Sequence, residues 1–253
     1  MFKLFSPSYK RPQGKTTHLI MPDIIYVVAE SEKESYLASN EHDKFWFVPD
    51  SAQGNLSRIR NYILDNSETK KIVILDDDHT KLGMWIRNKR KMLSPEEIMQ
   101  IFDRMFTLTD DADIKFWGIL PNNDKLSYRE TAPFSFSSYI GGPIQGFNNL
   151  DLRYDERLPL KEDYDLTLQV LNKYRRVLRC NFVHYFPKQH NNTGGCATYR
   201  SIKREKEQLE LLQKKWGILI VKSTTNKGGA MASKTSKQIY DINPIIKVPI
   251  KGI

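Results

Sequence analysis

Cysteine is scarce in this sequence of 253 residues, which contains only Cys180 and Cys196. Two cysteines cannot form the disulfide network that stabilises many small secreted proteins. Their spacing also matches no zinc-binding motif, since such motifs place Cys or His pairs a few residues apart. We therefore expect a fold that depends on a hydrophobic core in a reducing environment.

Long apolar segments are also absent. The apolar runs are far shorter than the roughly 20 residues that a membrane-spanning helix needs. Residues 1–16 lack the apolar stretch of a secretory signal. The sequence therefore predicts a soluble, cytoplasmic protein without a membrane partner. With 40% hydrophobic and 11% aromatic residues, the chain can form a substantial core, as one large domain or two small ones.

Acidic residues are fewer than basic ones, with 30 Asp and Glu against 39 Lys and Arg, and the net charge is +9. Several of the acids cluster in the motifs described below, so the remaining surface is more basic than the total suggests. A basic surface favours a polyanionic partner, which here means nucleic acid, a nucleotide or both. No RNP, zinc-finger or helix-turn-helix signature identifies a particular mode of nucleic-acid binding.

The first third of the chain alternates strands with helices. The predicted strands are residues 24–28, 45–48 and 71–75, and the predicted helices are residues 31–39 and 55–63. This alternation is typical of a parallel sheet with crossover helices. Acids follow the three strands, at Glu30, Asp50 and residues 76–78. Because parallel strands end at one edge of the sheet, we expect these acids to converge there.

The rest of the chain has a different pattern. It predicts helices at 94–106, from 162 onwards and at 200–216, and strands at 114–120 and 177–186. Residues 134–147 are aromatic and rich in Ser and Gly, which indicates antiparallel strands. Residues 223–237 are rich in Ser, Thr, Lys and Gly and predict a flexible loop. The sequence therefore predicts an α/β fold.

Three adjacent acids, Asp76, Asp77 and Asp78, follow the apolar strand. Three like charges are costly to hold together unless a cation neutralises them. Carboxylate oxygens suit Mg²⁺ or Mn²⁺, and ligands bind at the carboxyl ends of strands in open α/β sheets. A polar turn after a strand is the alternative interpretation, because Asp is common in turns.

Two further segments carry candidate functional residues. Arg58 and Arg60 lie near the start of a predicted helix, where charge and backbone N–H groups favour an anion; a solvated basic face is the alternative. Glu162 and Asp163 begin a later helix. Acids at that position are favoured by the helix dipole alone, but one of them could act as a general base towards an attacking hydroxyl.

This ordered set of motifs resembles the GT-A glycosyltransferases. The set consists of a helix that follows Gly54 and carries Arg60-Asn61, a strand ending in Asp-x-Asp, and a downstream Glu-Asp pair. The sequence around residues 72–78 and 161–166 is most similar to the phage TET-associated glycosyltransferases, which modify 5-hydroxymethylcytosine in DNA. The resemblance covers roughly residues 20–215. It implies a Rossmann-like, mostly parallel central sheet flanked by helices, with a smaller antiparallel sheet on the acceptor side.

The resemblance also implies roles for individual residues. Asp76 would face the nucleotide or sugar, Asp78 would hold the metal, and Asp77 between them belongs to the same donor site. Asp163 would be the catalytic base beside Glu162.

The family's other donor-site features have matches in this sequence as well. Arg60 and Asn61 would support the donor, together with Arg58. Many GT-A enzymes add a late metal-binding His, for which His190 is the best match. The adjoining Gly194 and Gly195 could let the backbone approach a diphosphate. His184 lies within a strand pattern, and we expect it to be a packed residue.

Taken together, the resemblance predicts a metal-dependent enzyme using Mn²⁺ or Mg²⁺ and a nucleotide-sugar donor, expected to be a UDP-sugar. The acceptor would be a 5-hydroxymethylated pyrimidine in phage DNA, placing the protein in the host cytoplasm, and the transfer would invert the sugar. A single GT-A domain would span residues 1–220, followed by a basic extension at 221–253. The aromatic residues of the 134–147 segment could stack an extruded base or pack in the core.

Two other functions are compatible with parts of the pattern. A nucleotidyltransferase would also use a nucleotide-binding βαβ fold with acidic metal ligands. It should carry a Gly-rich phosphate loop after its first strand, which residues 29–34 do not supply. The second alternative is a non-catalytic nucleic-acid-binding module in which the acids are structural.

Overall fold

The computed structural model describes residues 1–39, 41–187, 195–222 and 243–248. His190, Gly194 and the predicted loop at 223–237 lie outside these ranges. No helix within the described part of the chain is both long and apolar enough to cross a bilayer.

The first half of the sheet is parallel. Its elements are β1 (Lys3–Pro7), β2 (Ile25–Ala29), α1 (Lys33–Leu37), β3 (Phe45–Val48), α2 (Leu56–Asn66) and β4 (Lys71–Leu75). These strands lie side by side in the order β3-β2-β1-β4, and all three pairings are parallel. The sequence pattern does not predict β1, because five residues that include Lys, Ser and Pro carry too little apolar periodicity. Since it lies between β2 and β4, it completes the predicted parallel arrangement.

The second half of the sheet is mixed. Its strands are β5 (His79–Ile86), β6 (Lys89–Met92), β7 (Phe116–Leu120), β8 (Phe134–Ser135), β9 (Ile144–Asn148) and β10 (Leu178–Pro187). The order continues from β4 as β9-β7-β10-β5-β6, and β8 pairs with β10. Of the ten strands described, β9, β5 and β8 run against the other seven. The sheet is therefore mostly parallel, as predicted.

Helices cover both faces of this sheet. They are α3 (Pro95–Asp111), α4 (Glu162–Tyr174) and α5 (Ile202–Trp216), in addition to α1 and α2. Apolar residues of α3, such as Phe102 and Phe106, pack against one face, while Ile59 of α2 and Leu166 of α4 belong to the core on the other. A separate two-stranded antiparallel sheet is formed by β11 (Val221–Lys222) and β12 (Ile245–Ile246).

Local capping interactions fix where the helices begin. The Arg58 backbone N–H donates to Asn55 Oδ1 over 2.9 Å, so Asn55 caps α2. Ser94 and Glu97 form a capping box at the start of α3. The polar residues that begin each of these helices therefore satisfy donors that would otherwise lack partners.

His184 on β10 is a packed residue, as expected. It is fully buried, with ring centroids 5.4 Å from both Trp85 and Phe186. Neither of its ring nitrogens has a hydrogen-bond partner in the described part of the chain. Burial, helped by the nearby Arg90 guanidinium, lowers the pKa of His184 to about 4.

This depressed pKa predicts a pH-dependent stability. The unfolded chain binds a proton at His184 below its ordinary pKa of 6.5, whereas the folded chain does so only near 4. The contribution to stability is thus present above pH 6.5 and is lost as the pH falls towards 4. In urea titrations across this window, we expect His184→Leu to flatten the fall in unfolding free energy. A pH profile parallel to that of the wild type would contradict this assignment.

Candidate active site

A cleft opens where the parallel strands end. It has a volume of about 440 Å³, and its lining residues are Tyr9, Lys10, Ala29, Ser31, Glu32, Asp50, Gln53, Gly54 and Arg58. Asp50 follows β3 and accepts a 3.1 Å hydrogen bond from the Ser31 backbone just beyond β2. The predicted convergence of strand ends at one edge is therefore confirmed for these two strands. The sequence did not indicate Tyr9 and Lys10, because the pattern of the preceding strand β1 is too weak to predict it.

The three adjacent acids after β4 lie in different environments. The side chain of Asp76 is 36% exposed and that of Asp78 is 21% exposed, whereas that of Asp77 is only 8% exposed. Asp76 Oδ1 accepts from Arg60 over 3.1 Å. An oxygen of Asp78 lies 3.7 Å from the Arg11 guanidinium. Asp76 and Asp78 therefore reach the surface of the site, while Asp77 turns inward.

Asp77 anchors the segment that follows β1. Its carboxylate accepts from Ser8 over 2.6 Å and from Arg11 over 2.5 Å, and its backbone carbonyl accepts from the Thr16 N–H over 2.9 Å. Burial raises the pKa of Asp77 to about 6 in spite of the Arg11 charge. The family resemblance groups Asp77 with the donor site. The structure places its side chain on Ser8 and Arg11, partners that the sequence did not suggest.

Arg60 joins the two acidic motifs. Its buried guanidinium donates to Glu162 Oε1 and Asp76 Oδ1, each over 3.1 Å, and to the Gly142 carbonyl over 2.8 Å. Burial alone would lower the pKa of Arg60, but Tyr154 and the neighbouring carboxylates hold it above its usual range. The predicted Arg-Asn, Asp-x-Asp and Glu-Asp motifs thus meet around a single cation.

The Glu-Asp pair begins α4, and its two members are held differently. Burial raises the pKa of Glu162, the adjacent Asp163 raises it further, and Arg60 opposes both effects. Asp163 Oδ2 accepts from the Tyr139 hydroxyl and from the Gly142 N–H, the latter over 2.9 Å. Its Oδ1 accepts from the Tyr164 N–H over 2.8 Å. Both carboxylates are therefore fixed in position by the surrounding protein.

The other predicted residues lie around this centre. The Asn61 amide exchanges hydrogen bonds of 3.0 and 2.8 Å with the Tyr154 backbone, so it holds the chain that passes beneath Arg60. Arg58 is half-exposed in the cleft and pairs with Glu156 over 3.1 Å. The Gly195 N–H donates to the Tyr9 carbonyl over 3.0 Å, which places Gly195 beside the cleft. Gly194 and His190 lie outside the described ranges.

The aromatic residues of the 134–147 segment have separate roles. Phe147 is buried in the core, and Phe134 packs against Phe182. Phe136 is 41% exposed. The Tyr139 ring stacks on Tyr164 at 4.1 Å between centroids, which orients its hydroxyl towards Asp163. Core packing thus accounts for two of these four rings, and one of them contacts the Glu-Asp pair.

Tyr185 is a further residue of this centre that the sequence did not indicate. Its ring lies 5.0 Å from that of buried His79. Burial raises the pKa of Tyr185, and the charges of Asp76, Asp163 and Asp78 raise it further. Its hydroxyl therefore stays protonated and can act as a donor. The sequence signal for this residue was its position near the end of a predicted strand.

Helix α5 supports the start of α4 through buried charges. Lys161, the residue before the Glu-Asp pair, forms an ion pair with Glu205 of α5, and both side chains are almost completely buried. Arg200 donates to the other Glu205 oxygen over 2.6 Å. One turn further along α4, buried Asp165 pairs with Lys215 over 2.8 Å. Because unpaired buried charges are costly, these contacts fix α5 against α4.

The acids that reach the surface fit a divalent cation. Mg²⁺ is commonly held by one or two carboxylates together with substrate phosphates, and Asp76 and Asp78 are two such carboxylates that reach the surface. Among the residues that the structure describes, no group of three or more His, Cys, Asp or Glu is arranged to hold a metal. The donor set therefore fits an ion that shares its coordination with a bound phosphate.

The family model of the TET-Associated Glycosyltransferase matches residues 2–195. The chain belongs to this family. It is accordingly a glycosyltransferase with an α/β architecture, in which helices flank a large, mostly parallel sheet. The match ends before α5, so the ion pairs of Glu205 and Lys215 join the matched part to a helix beyond it. No curated protein matches the chain.

Solved structures with a similar arrangement are distant in sequence. S. aureus TarS (residues 1–349) has 13% identity and a TM-score of 0.49, covering 94% of this chain and 76% of its own. The mannosyltransferase PcManGT from Pyrobaculum calidifontis, in complex with GDP-Man and Mn²⁺, has 12% identity and a TM-score of 0.49, covering 85% and 63%. A CMP:2-keto-3-deoxy-manno-octonic acid synthetase with CTP has 11% identity and a TM-score of 0.41, covering 84% and 99%. Likeness at this level carries no argument about substrates.

The two arginines of α2 provide a matched test of the buried centre. We expect Arg60→Met to cost about 3–5 kcal/mol of unfolding free energy, because it leaves Glu162 and Asp76 without their cation. Arg58→Met should cost less than about 1 kcal/mol, since the pair with Glu156 is solvent-exposed. Urea denaturation at neutral pH measures both. Equal losses would show that the Arg60 network does not stabilise the fold.

Proposed function

We propose that this protein transfers a sugar from a UDP-sugar to the hydroxymethyl group of a modified pyrimidine in DNA, by a metal-dependent, inverting displacement. The main support is the position of Arg60, which holds the Asp-x-Asp acid Asp76 and the Glu-Asp acid Glu162 within one centre. The proposed catalytic domain is residues 1–220, followed by a basic extension at 221–253.

The donor is proposed to occupy the cleft at the ends of β1, β2 and β3. Tyr9 and Gln53 would contact the nucleoside there, and the diphosphate would extend towards Asp76 and Asp78. A Mn²⁺ or Mg²⁺ ion held by Asp78, with His190 as a further ligand, would neutralise the departing diphosphate as a Lewis acid. Asp76 would contact the ribose or sugar while remaining oriented by Arg60.

Asp163 is the proposed general base. A carboxylate has about four acceptor positions, and donors from Tyr139, Gly142 and Tyr164 occupy three of them. One position remains for the acceptor hydroxyl. As the hydroxyl oxygen attacks the anomeric carbon, its proton passes to Asp163 and the bond to the diphosphate breaks. A single displacement of this kind inverts the anomeric configuration.

The proposed DNA acceptor is supported by the family to which the chain belongs and by its net charge of +9. A base within a duplex cannot reach the carboxylate of Asp163, so the modified base would be extruded or single-stranded. Phe136, which is 41% exposed in the segment leading to Tyr139, is available to stack on such a base.

The metal assignment can be tested by comparing neighbouring acids. We expect UDP with Mn²⁺ to raise the melting temperature of the wild type, and Asp78→Asn to abolish the Mn²⁺-dependent part of the shift. Asp77→Asn should retain it, because Asp77 faces Ser8 and Arg11. Differential scanning fluorimetry with UDP, with and without Mn²⁺, measures both. The opposite result would assign the metal to Asp77.

Replacement of the proposed base should affect turnover far more than binding. Asparagine keeps one carbonyl oxygen, which can accept from the Gly142 or the Tyr164 N–H group but not from both, and it cannot take up the proton. We therefore expect Asp163→Asn to lower kcat roughly 10²–10⁴-fold, with little change in the response to UDP. Release of UDP in the presence of hydroxymethylated DNA measures turnover. Wild-type turnover by this variant would exclude Asp163 as the base.

A further inference from the structure

The β5–β6 hairpin carries a concentration of positive charge that the catalytic centre does not use. Residues 79–92 contain five Lys or Arg and no Asp or Glu, in a chain whose whole net charge is +9. The sequence pattern predicts no strand in this segment. The structure shows two antiparallel strands whose register pairs Ile86 with Lys89 around the turn.

The hairpin is both exposed and open along one side. All four residues of β6 are exposed, and β6 is the outermost strand at this end of the described sheet. Its outer backbone N–H groups therefore face solvent together with the Lys and Arg side chains. Oriented backbone N–H groups beside cations favour an anion.

Three of the five cations remain available to a partner. Arg90 stacks over the Trp85 ring at 4.6 Å and donates to the Asn123 carbonyl, and Lys91 pairs with Glu97. Within the part of the chain that the structure describes, Lys81, Arg87 and Lys89 are exposed and have no acidic partner. Lys81 lies near the start of the hairpin, Arg87 lies at its turn, and Lys89 lies just past the turn.

The turn itself uses residues with unusual backbone conformations. Arg87 and Asn88 have φ values of 45° and 63°, which is the pattern of a two-residue type I′ turn. Gly, Asn and Asp are preferred at such positions, and an arginine there costs free energy. The turn thus places a long cationic side chain at the tip of the hairpin at some expense in stability.

The hairpin begins directly at the catalytic centre, because His79 follows Asp78. Arg87 lies eight positions after His79, and at about 3.3 Å per residue the hairpin extends about 26 Å from the acids. One strand of B-form DNA has a phosphate about every 3.4 Å, so this distance corresponds to about eight nucleotides.

We propose that the β5–β6 hairpin binds the phosphodiester backbone of the acceptor polynucleotide on one side of the modified base. This inference rests on the proposed DNA acceptor. Lys81 lies nearest the site, while Lys89 and Arg87 contact phosphates further along the strand. The contribution of the hairpin should therefore depend on acceptor length and on salt concentration.

A matched pair of double variants tests the proposal. Arg87→Gln with Lys89→Gln removes two charges from the hairpin. Arg175→Gln with Lys70→Gln removes the same two residue types from positions outside the hairpin, and Arg175 also has a positive φ of 65°. Lys70 and Arg175 are exposed, at the start of β4 and the end of α4. Wild type and both variants are compared with fluorescein-labelled, single-stranded oligonucleotides that carry one 5-hydroxymethylcytosine.

For an oligonucleotide of about 16 nucleotides, we expect the hairpin variant to bind roughly 10-fold more weakly at about 0.1 M salt. The slope of log affinity against log salt should fall by about 1.4, since each single-strand contact contributes about 0.7. An oligonucleotide of about four nucleotides is too short to reach the tip of the hairpin, so the hairpin variant and the wild type should bind it with equal affinity. The control variant should match the wild type at both lengths.

Other outcomes separate this inference from the function on which it rests. If wild type binds the long oligonucleotide and the hairpin variant binds equally well, the hairpin is not the phosphate-binding surface, and the DNA acceptor still stands. If wild type does not bind the long oligonucleotide even at low salt, both proposals fail. An unchanged melting-temperature response to UDP and Mn²⁺ confirms in each case that the variants are folded.

Discussion

The arrangement of this active centre depends on one buried cation. Arg60 is fully buried, so its charge is tolerated only because Asp76, Glu162 and the Gly142 carbonyl surround it. Each partner belongs to a different part of the chain: the end of β4, the start of α4 and the segment before β9. A single guanidinium therefore sets the distance between Asp76 and the Glu162-Asp163 pair, which are the proposed donor-binding and catalytic acids. Loss of any one partner would leave a buried charge without full compensation.

Further contacts position the segments that Arg60 joins. Arg11 and Ser8 hold Asp77, which fixes the turn on which Asp76 and Asp78 are presented. Lys161 and Glu205 tie α5 to the start of α4. In both cases a buried charge is paired with an opposite charge one residue away from a proposed catalytic or donor-binding group. Small displacements of the reacting groups lower the rate of an enzyme. These buried ion pairs would therefore help to hold the proposed reacting groups in position.

The sequence predicts β4 and the acids that follow it, because an uninterrupted apolar run marks this strand and three acids directly after a buried strand are typical of a ligand-binding edge. The features that the sequence did not predict depend mainly on contacts between distant parts of the chain. Strand β1 is defined by pairing with β2 and β4 rather than by its own composition. The hairpin lacks the glycine that usually signals a tight turn, because Arg87 and Asn88 occupy it. The ion pair of Arg11 with Asp77 joins residues 66 positions apart, and no local pattern reveals it.

The distribution of charge relates the acidic centre to the basic β5–β6 hairpin. The centre contains five carboxylates and two guanidinium groups: Asp76, Asp77, Asp78, Glu162, Asp163, Arg11 and Arg60. This excess of negative charge would repel a donor diphosphate unless a cation accompanied it. It would repel the phosphates of a DNA acceptor equally. In the proposed function, a basic hairpin that leads away from these acids would attract the polyanion at a distance from them, so that only the uncharged base and its hydroxyl would need to approach Asp163.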